Sequence, residues 1–174
     1  MASKQGVLTR EDILELMKGK PPLVSGVLDL EEQLQPNGID LTVRRIDSFA
    51  SRGVLTESNE GRQLADTSPV AFDEGRSVDL APGAYLIMFN EVVNLPANIM
   101  ALARPRSSLN RCGVSIHSAV WDAGYSGRSQ SMLVVYNTNG FTLHQNARVM
   151  QLVFLHTSRG VERGYHGKFQ LENI

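Results

Sequence analysis

Met132–His156, MLVVYNTNGFTLHQNARVMQLVFLH, is the stretch whose reading decides the fold. Met132 to Tyr136 is an apolar, β-branched run, and Asn137-Thr138-Asn139-Gly140 is turn chemistry. Phe141-Thr142-Leu143 resumes an alternating pattern, and Val149 to His156 is a second strong apolar run. Short apolar runs punctuated by Asn and Gly mark antiparallel β-structure. The spacing predicts a hairpin that joins 132–136 to 141–143.

The same punctuation continues outward. Gln35-Pro36-Asn37-Gly38 is a turn, after which Ile39, Leu41 and Val43 alternate with Asp40, Thr42 and Arg44. Strands are expected at Tyr85–Phe89, Val92–Leu95, Ile99–Ala103 and Val114–Val120. Residues 50–77 are polar and turn-rich, an excursion with weak strand signals. One helix is well marked, Thr9–Lys18. Thr9 with Asp12 forms a capping-box start, Ile13, Leu14 and Met17 share a face, and Gly19 with Pro21-Pro22 stops it. Many short strands with regular turns predict an all-β fold, a distorted jelly-roll-like β-barrel with a short N-terminal helix. Such a sheet has edges that need covering, which favours oligomerisation.

The 174 residues suit a single domain, with 158–174 (SRGVERGYHGKFQLENI) a flexible, glycine-rich C-terminal lid. Net charge is −1, so no global field attracts nucleic acid or an anionic membrane, and any anion site must be built locally. Cys112 is the one cysteine, which excludes an intrachain disulfide. With four scattered histidines it also excludes the zinc site of a zinc deaminase. No P-loop is present. The start MASKQGVLTRED lacks an apolar leader, and no apolar run approaches membrane-spanning length, so a soluble cytoplasmic protein is expected.

Chemistry concentrates in Arg104–Gly127, RPRSSLNRCGVSIHSAVWDAGYSG. The arginine fork of Arg106 suits phosphate oxygens, Ser107 and Ser108 add hydroxyls, and Arg111 and Arg104 add charge. Asp122 lies at a strand end between apolar sequence and glycines, where one carboxylate can orient an attacking water. Tyr125 can stack on a sugar or base. In the tail, Lys168 can reach phosphate and Phe169 a base. Taken singly, these features also fit a solvated turn, an Asx cap, a core aromatic and a frayed terminus.

Ordered blocks tie them together: QPNGIDLTV (35–43), LAPGAYLIMFNEVVNLP (80–96), RPRSSLNRCGV (104–114), WDAGYSG (121–127), YN (136–137), NARVMQLVF (146–154) and GYHGKFQ (164–170). In order and spacing they resemble the dUTPase/dCTP deaminase superfamily, in its archaeal and bacterial deaminase-like form. The resemblance implies a homotrimer with active sites at subunit interfaces, binding a deoxynucleoside triphosphate whose phosphates carry Mg²⁺. It implies phosphate contacts for Arg106, Ser107, Ser108, Arg111, Gln151 and Lys168. Asp122 would hold the 3′-OH and the attacking water. Tyr125 would pack on the deoxyribose and leave no room for a 2′-OH. Tyr165, Lys168 and Gln170 would belong to the lid, with Tyr165, Phe169 and Gln170 beside the deoxyribose and base.

Deaminases of the superfamily carry a glutamate as general acid/base in the strand before Tyr136-Asn137. Counting back from that pair the position falls on Val134, and counting forward from Asp122 it falls on Met132. Neither can move a proton, and between Asp122 and Glu162 there is no other Asp or Glu. The expected activity is therefore dUTP hydrolysis to dUMP and pyrophosphate, with the uracil read by the backbone of 132–136. A dCTP deaminase or bifunctional enzyme taking an acid from elsewhere is the alternative. A non-catalytic nucleotide-binding trimer is a third reading, which has less use for Asp122.

Overall fold

The computed structural model describes residues 6–174; the first five residues, part of the stretch read above for a leader, lie outside the described residues. In chain order the elements are β1 (Gly6–Val7), α1 (Arg10–Met17), β2 (Val24–Ser25), α2 (Leu30–Gln33), β3 (Leu34–Gln35) and β4 (Gly38–Phe49). A single 3₁₀ turn (Asn59–Gly61) interrupts the excursion before β5 (Thr67–Val70), β6 (Ser77–Leu80), β7 (Gly83–Phe89), β8 (Val92–Asn94) and β9 (Ile99–Pro105). Then come α3 (Ser107–Arg111), β10 (Val114–His117), β11 (Ser126–Gly127), β12 (Gln130–Val135), β13 (Phe141–His144) and β14 (Arg148–His156).

The main sheet has nine strands, with β1-β14-β4-β7-β12-β10 as its path and β3, β5 and β9 attached at its sides. It curls into a half-barrel. Two small sheets, β11-β8-β2 and β13-β6, complete the β-structure. Burial alternates along β12, whereas β4 and β7 carry runs of consecutive buried residues; Ile39, Ile87, Phe89, Leu133 and Phe154 are fully buried. Each such side chain stabilises the fold by roughly 1.5–3 kcal/mol.

Helix α1 begins where its caps dictate. The Thr9 hydroxyl accepts from the Asp12 N–H, and the Asp12 carboxylate accepts from the Thr9 N–H at 3.2 Å. Ile13 is its one fully buried residue, and Leu14, Leu16 and Met17 pack partly buried against the core. The turn at 137–140 does not make the expected hairpin. Both edges of β12 are already occupied, by β10 and β7, so β13 crosses over to pair with β6. Among the described residues no helix is long and apolar enough to cross a membrane.

Candidate active site

Asp122 sits at the head of a tight turn. Trp121 is anchored by paired backbone hydrogen bonds to Ala101, and the Tyr125 N–H returns to the Asp122 carbonyl at 3.1 Å. Trp121, Ala123 and Tyr125 are buried on the inner side, while Asp122 is exposed. Its side chain lines a cleft of about 570 Å³, shared with Phe49, Leu64, Leu86, Val120, Tyr125, Ser129, Gln130, Tyr165, Phe169 and Glu172. A cleft of that size and largely apolar lining suits a small-molecule ligand.

The C-terminal tail closes one side of the cleft in the same chain. The Tyr165 N–H donates to the Ala123 carbonyl, the Leu171 N–H to the Ser126 carbonyl, and the Arg128 N–H to the Glu172 carbonyl. Gln170 braces the turn twice, accepting from the Ser126 N–H at 3.0 Å and donating to the Gly124 carbonyl at 3.0 Å. Phe169 lies under the Arg62 guanidinium, 5.8 Å from ring centroid to Cζ. The excursion at 50–66 thereby touches the tail. Lys168 is exposed and does not line the cleft.

Tyr125 is held at both ends. Its ring meets Tyr165 edge-on, with centroids 5.7 Å apart, and its hydroxyl donates to Glu172 Oε1 at 2.8 Å. Burial, reinforced by the Glu172 carboxylate, pushes the phenol far above its ordinary pKa, so it stays a donor. Burial also raises the Glu172 carboxyl, and the hydrogen bond from Tyr125 offsets part of that.

The expected phosphate-binding residues form a second group. Arg106 stands just before α3, with Ser107, Ser108 and Arg111 exposed on that short helix. Arg106 Nε lies 3.1 Å from Asp40 Oδ2, and Arg148 Nη1 lies 3.6 Å from the same oxygen. Gln151 faces Asp40 across β4 and Arg104 across β9, and it donates to the Asn37 carbonyl at 3.4 Å. Burial raises the Asp40 carboxyl, against the lowering effect of Arg106 and Arg148. Arg106, Ser107, Ser108, Arg111 and Gln151 do not line the cleft.

Strand β12 places Gln130, Met132 and Val134 on one face by its period of two. Gln130 lines the cleft. Met132 lies beyond it, opposite the cleft residue Leu86, and Val134 is half-buried further along. Sequence reasoning assigned no role to Gln130, Glu172, Phe49, Leu64 or Asp40. The strand period points to Gln130 once Met132 is singled out. Asp40 alternates with apolar residues at the start of β4, a pattern that reads as solvent-facing, yet the residue is buried. Glu172 has no such signal, because only the folded tail brings it to the cleft.

Fold and cleft define a half-barrel β-protein with a ligand-sized cleft beside a carboxylate and a separate arginine cluster built on a buried aspartate. The chain belongs to the dCTP deaminase-like family, whose model matches residues 7–157. It is 45% identical over 168 residues to a protein of Methanococcoides burtonii named probable deoxyuridine 5′-triphosphate nucleotidohydrolase, covering 97% of this chain and 99% of that one. A protein of Archaeoglobus fulgidus with the same name is 44% identical over 168 residues, covering 97% of this chain and 98% of its own. The crystal structure of the 2′-deoxycytidine 5′-triphosphate deaminase of Agrobacterium tumefaciens shares the fold, with a TM-score of 0.70 and 21% identity over 89% of this chain. This chain spans about half of that one, 49%.

Proposed function

We propose that the chain is a deoxyuridine triphosphate nucleotidohydrolase that converts dUTP and water to dUMP and pyrophosphate. One observation carries the reading: Asp122 opens onto a cleft whose adjoining strand face offers Gln130, Met132 and Val134 and no acid. Hydrolysis needs a carboxylate to orient water. Deamination needs a proton shuttle beside the base. The names of relatives at 44–46% identity over nearly their whole length support the same activity.

In this reading Asp122 binds the 3′-OH and holds a water for in-line attack on the α-phosphorus. The P–O bond to the β-phosphate breaks, and pyrophosphate leaves. Tyr125 forms the wall against the deoxyribose. Arg106, Arg111 and the hydroxyls of Ser107 and Ser108 take the phosphates, with Gln151 bracing them. Mg²⁺, bound on the triphosphate, supplies charge neutralisation. The donors fit an ion that arrives this way: Arg106 and Arg111 are cations and leave the phosphate oxygens as the hard ligands it needs. Because the arginine block does not line the cleft, a homotrimer that joins one chain's cleft to a neighbour's arginine block accounts for both groups. The substrate implies a setting in cytoplasmic nucleotide metabolism.

One observation favours a second reading, dCTP deamination: Glu172 brings a carboxyl into the cleft, raised in pKa by burial. Incubation with dUTP, dCTP and dTTP, measuring pyrophosphate and ammonia, separates the two. Pyrophosphate from dUTP without ammonia from dCTP is the expected result. Ammonia from dCTP would favour the second reading.

A further inference from the structure

Tyr125 and Glu172 are 47 positions apart, yet they form one unit, a buried ring tied to a half-buried carboxyl. The Tyr125 hydroxyl donates to Glu172 Oε1 at 2.8 Å. Gly127 makes the room: a Cβ there would stand 2.6 Å from the Tyr125 hydroxyl and 3.2 Å from Glu172 Cγ. The Glu172 backbone is fixed in turn, because its carbonyl accepts from the Arg128 N–H at 2.9 Å. From the other side the Tyr165 ring meets Tyr125 at an interplanar angle of 69°. A tyrosine ring has two soft torsions: the tether at the hydroxyl restrains the first, whose swing would carry the oxygen away from Glu172, and the Tyr165 ring packed edge-on stands against the second.

We propose that Glu172 is a positioning residue for sugar selectivity: it pins the Tyr125 ring as an unyielding wall, so that a ribose 2′-OH is rejected and a deoxyribose accepted. The inference rests on the proposed dUTP hydrolysis and deepens it. Exclusion by a wall works only if the wall cannot yield. A ring free to tilt makes space for one oxygen at little cost, whereas a ring tied at its far end does not. Asp122 lies three positions from Tyr125 on the same cleft, so the sugar that Asp122 holds is the one this wall meets.

The test compares dUTP with UTP in wild type, Glu172→Ala, Glu172→Gln and Tyr125→Phe. Two readouts are taken: the ratio of kcat/KM, and the ratio of Kd for the non-hydrolysable α,β-imido analogues of the two nucleotides. Glu172→Ala and Tyr125→Phe should each lower both ratios about tenfold or more, mainly by improving the ribonucleotide. A variant that combines Glu172→Ala with Tyr125→Phe should be no worse than either single one, as expected for two ends of one contact. Glu172→Gln keeps an acceptor oxygen and should retain most of the selectivity. Unchanged ratios in Glu172→Ala, or fully additive losses, would overturn the proposal. A wild type that binds the deoxy analogue selectively but releases no pyrophosphate would overturn the hydrolase reading alone, and the Kd ratios would still decide the role of Glu172.

Discussion

Arg106 Nε lies 3.1 Å from the Oδ2 of Asp40, a carboxylate only 2% exposed. The pair joins the strand β4 to the residue that precedes α3 and fixes where the guanidinium points. Arg148 shares the same oxygen at 3.6 Å and is held on its outer side by Glu32 at 3.0 Å. Asp40→Ala leaves two arginines without their common partner. Breaking a buried pair costs about 3–5 kcal/mol, and because Arg106 is partly solvated roughly 2–3 kcal/mol is expected here, read by urea denaturation. Asp40→Asn, which keeps the volume, should raise the KM for dUTP about tenfold with a smaller change in kcat. An unchanged KM would detach Arg106 from phosphate binding.

A second prediction concerns the tail. A Cβ on Gly124 would lie 2.8 Å from Gly164 Cα and 3.0 Å from the Tyr165 N, and Gly124 has φ +87°. Gly124→Ala therefore strains its own turn and pushes the tail off. The backbone term costs about 1–2 kcal/mol. Trypsin should cleave faster at Arg163 and Lys168, and kcat/KM for dUTP should fall at least tenfold. Cleavage at the wild-type rate would show that the tail tolerates the added methyl.

The longer strands, the N-terminal helix and its capping box were legible because each follows from local pattern: period two, turn residues, and Thr9 with Asp12 at the right spacing; the two-residue strands β1, β2, β3 and β11 carry no such pattern. The partner of β13 was not, because strand pairing depends on which edges are already filled. Nor was the buried carboxylate of Glu91. It accepts from Gln33 Nε2 at 2.7 Å, the Thr42 N–H at 2.9 Å and the Thr42 hydroxyl at 2.6 Å, a network of residues 49 to 58 positions apart from it. Within the site, Asp122 and Tyr125 share one turn and could be read together. The grouping of Arg106 with Asp40 and of Tyr125 with Glu172 came from tertiary contacts with no sequence spacing of their own.

The pH dependence of stability follows from Glu172. Burial, partly offset by the Tyr125 hydrogen bond, raises its folded pKa above the ordinary 4.5. For a carboxyl shifted upward, the favourable contribution is complete below the unfolded pKa and is lost as pH rises through the folded one. Glu172→Gln removes this titration and keeps an acceptor for Tyr125. Thermal melts across pH should show the variant at least as stable as wild type at pH 8, with that advantage gone near pH 4. A wild type that gains stability over the variant as pH rises would contradict the sign.

The most direct measurement is single-turnover pyrophosphate release from dUTP by Asp122→Asn, paired with the Kd of the α,β-imido dUTP analogue. With Asp122 orienting the attacking water, release should fall about 10²- to 10⁴-fold while the Kd changes only a few-fold. Release at the wild-type rate would contradict the assignment of Asp122 and, with it, the hydrolase built around this cleft.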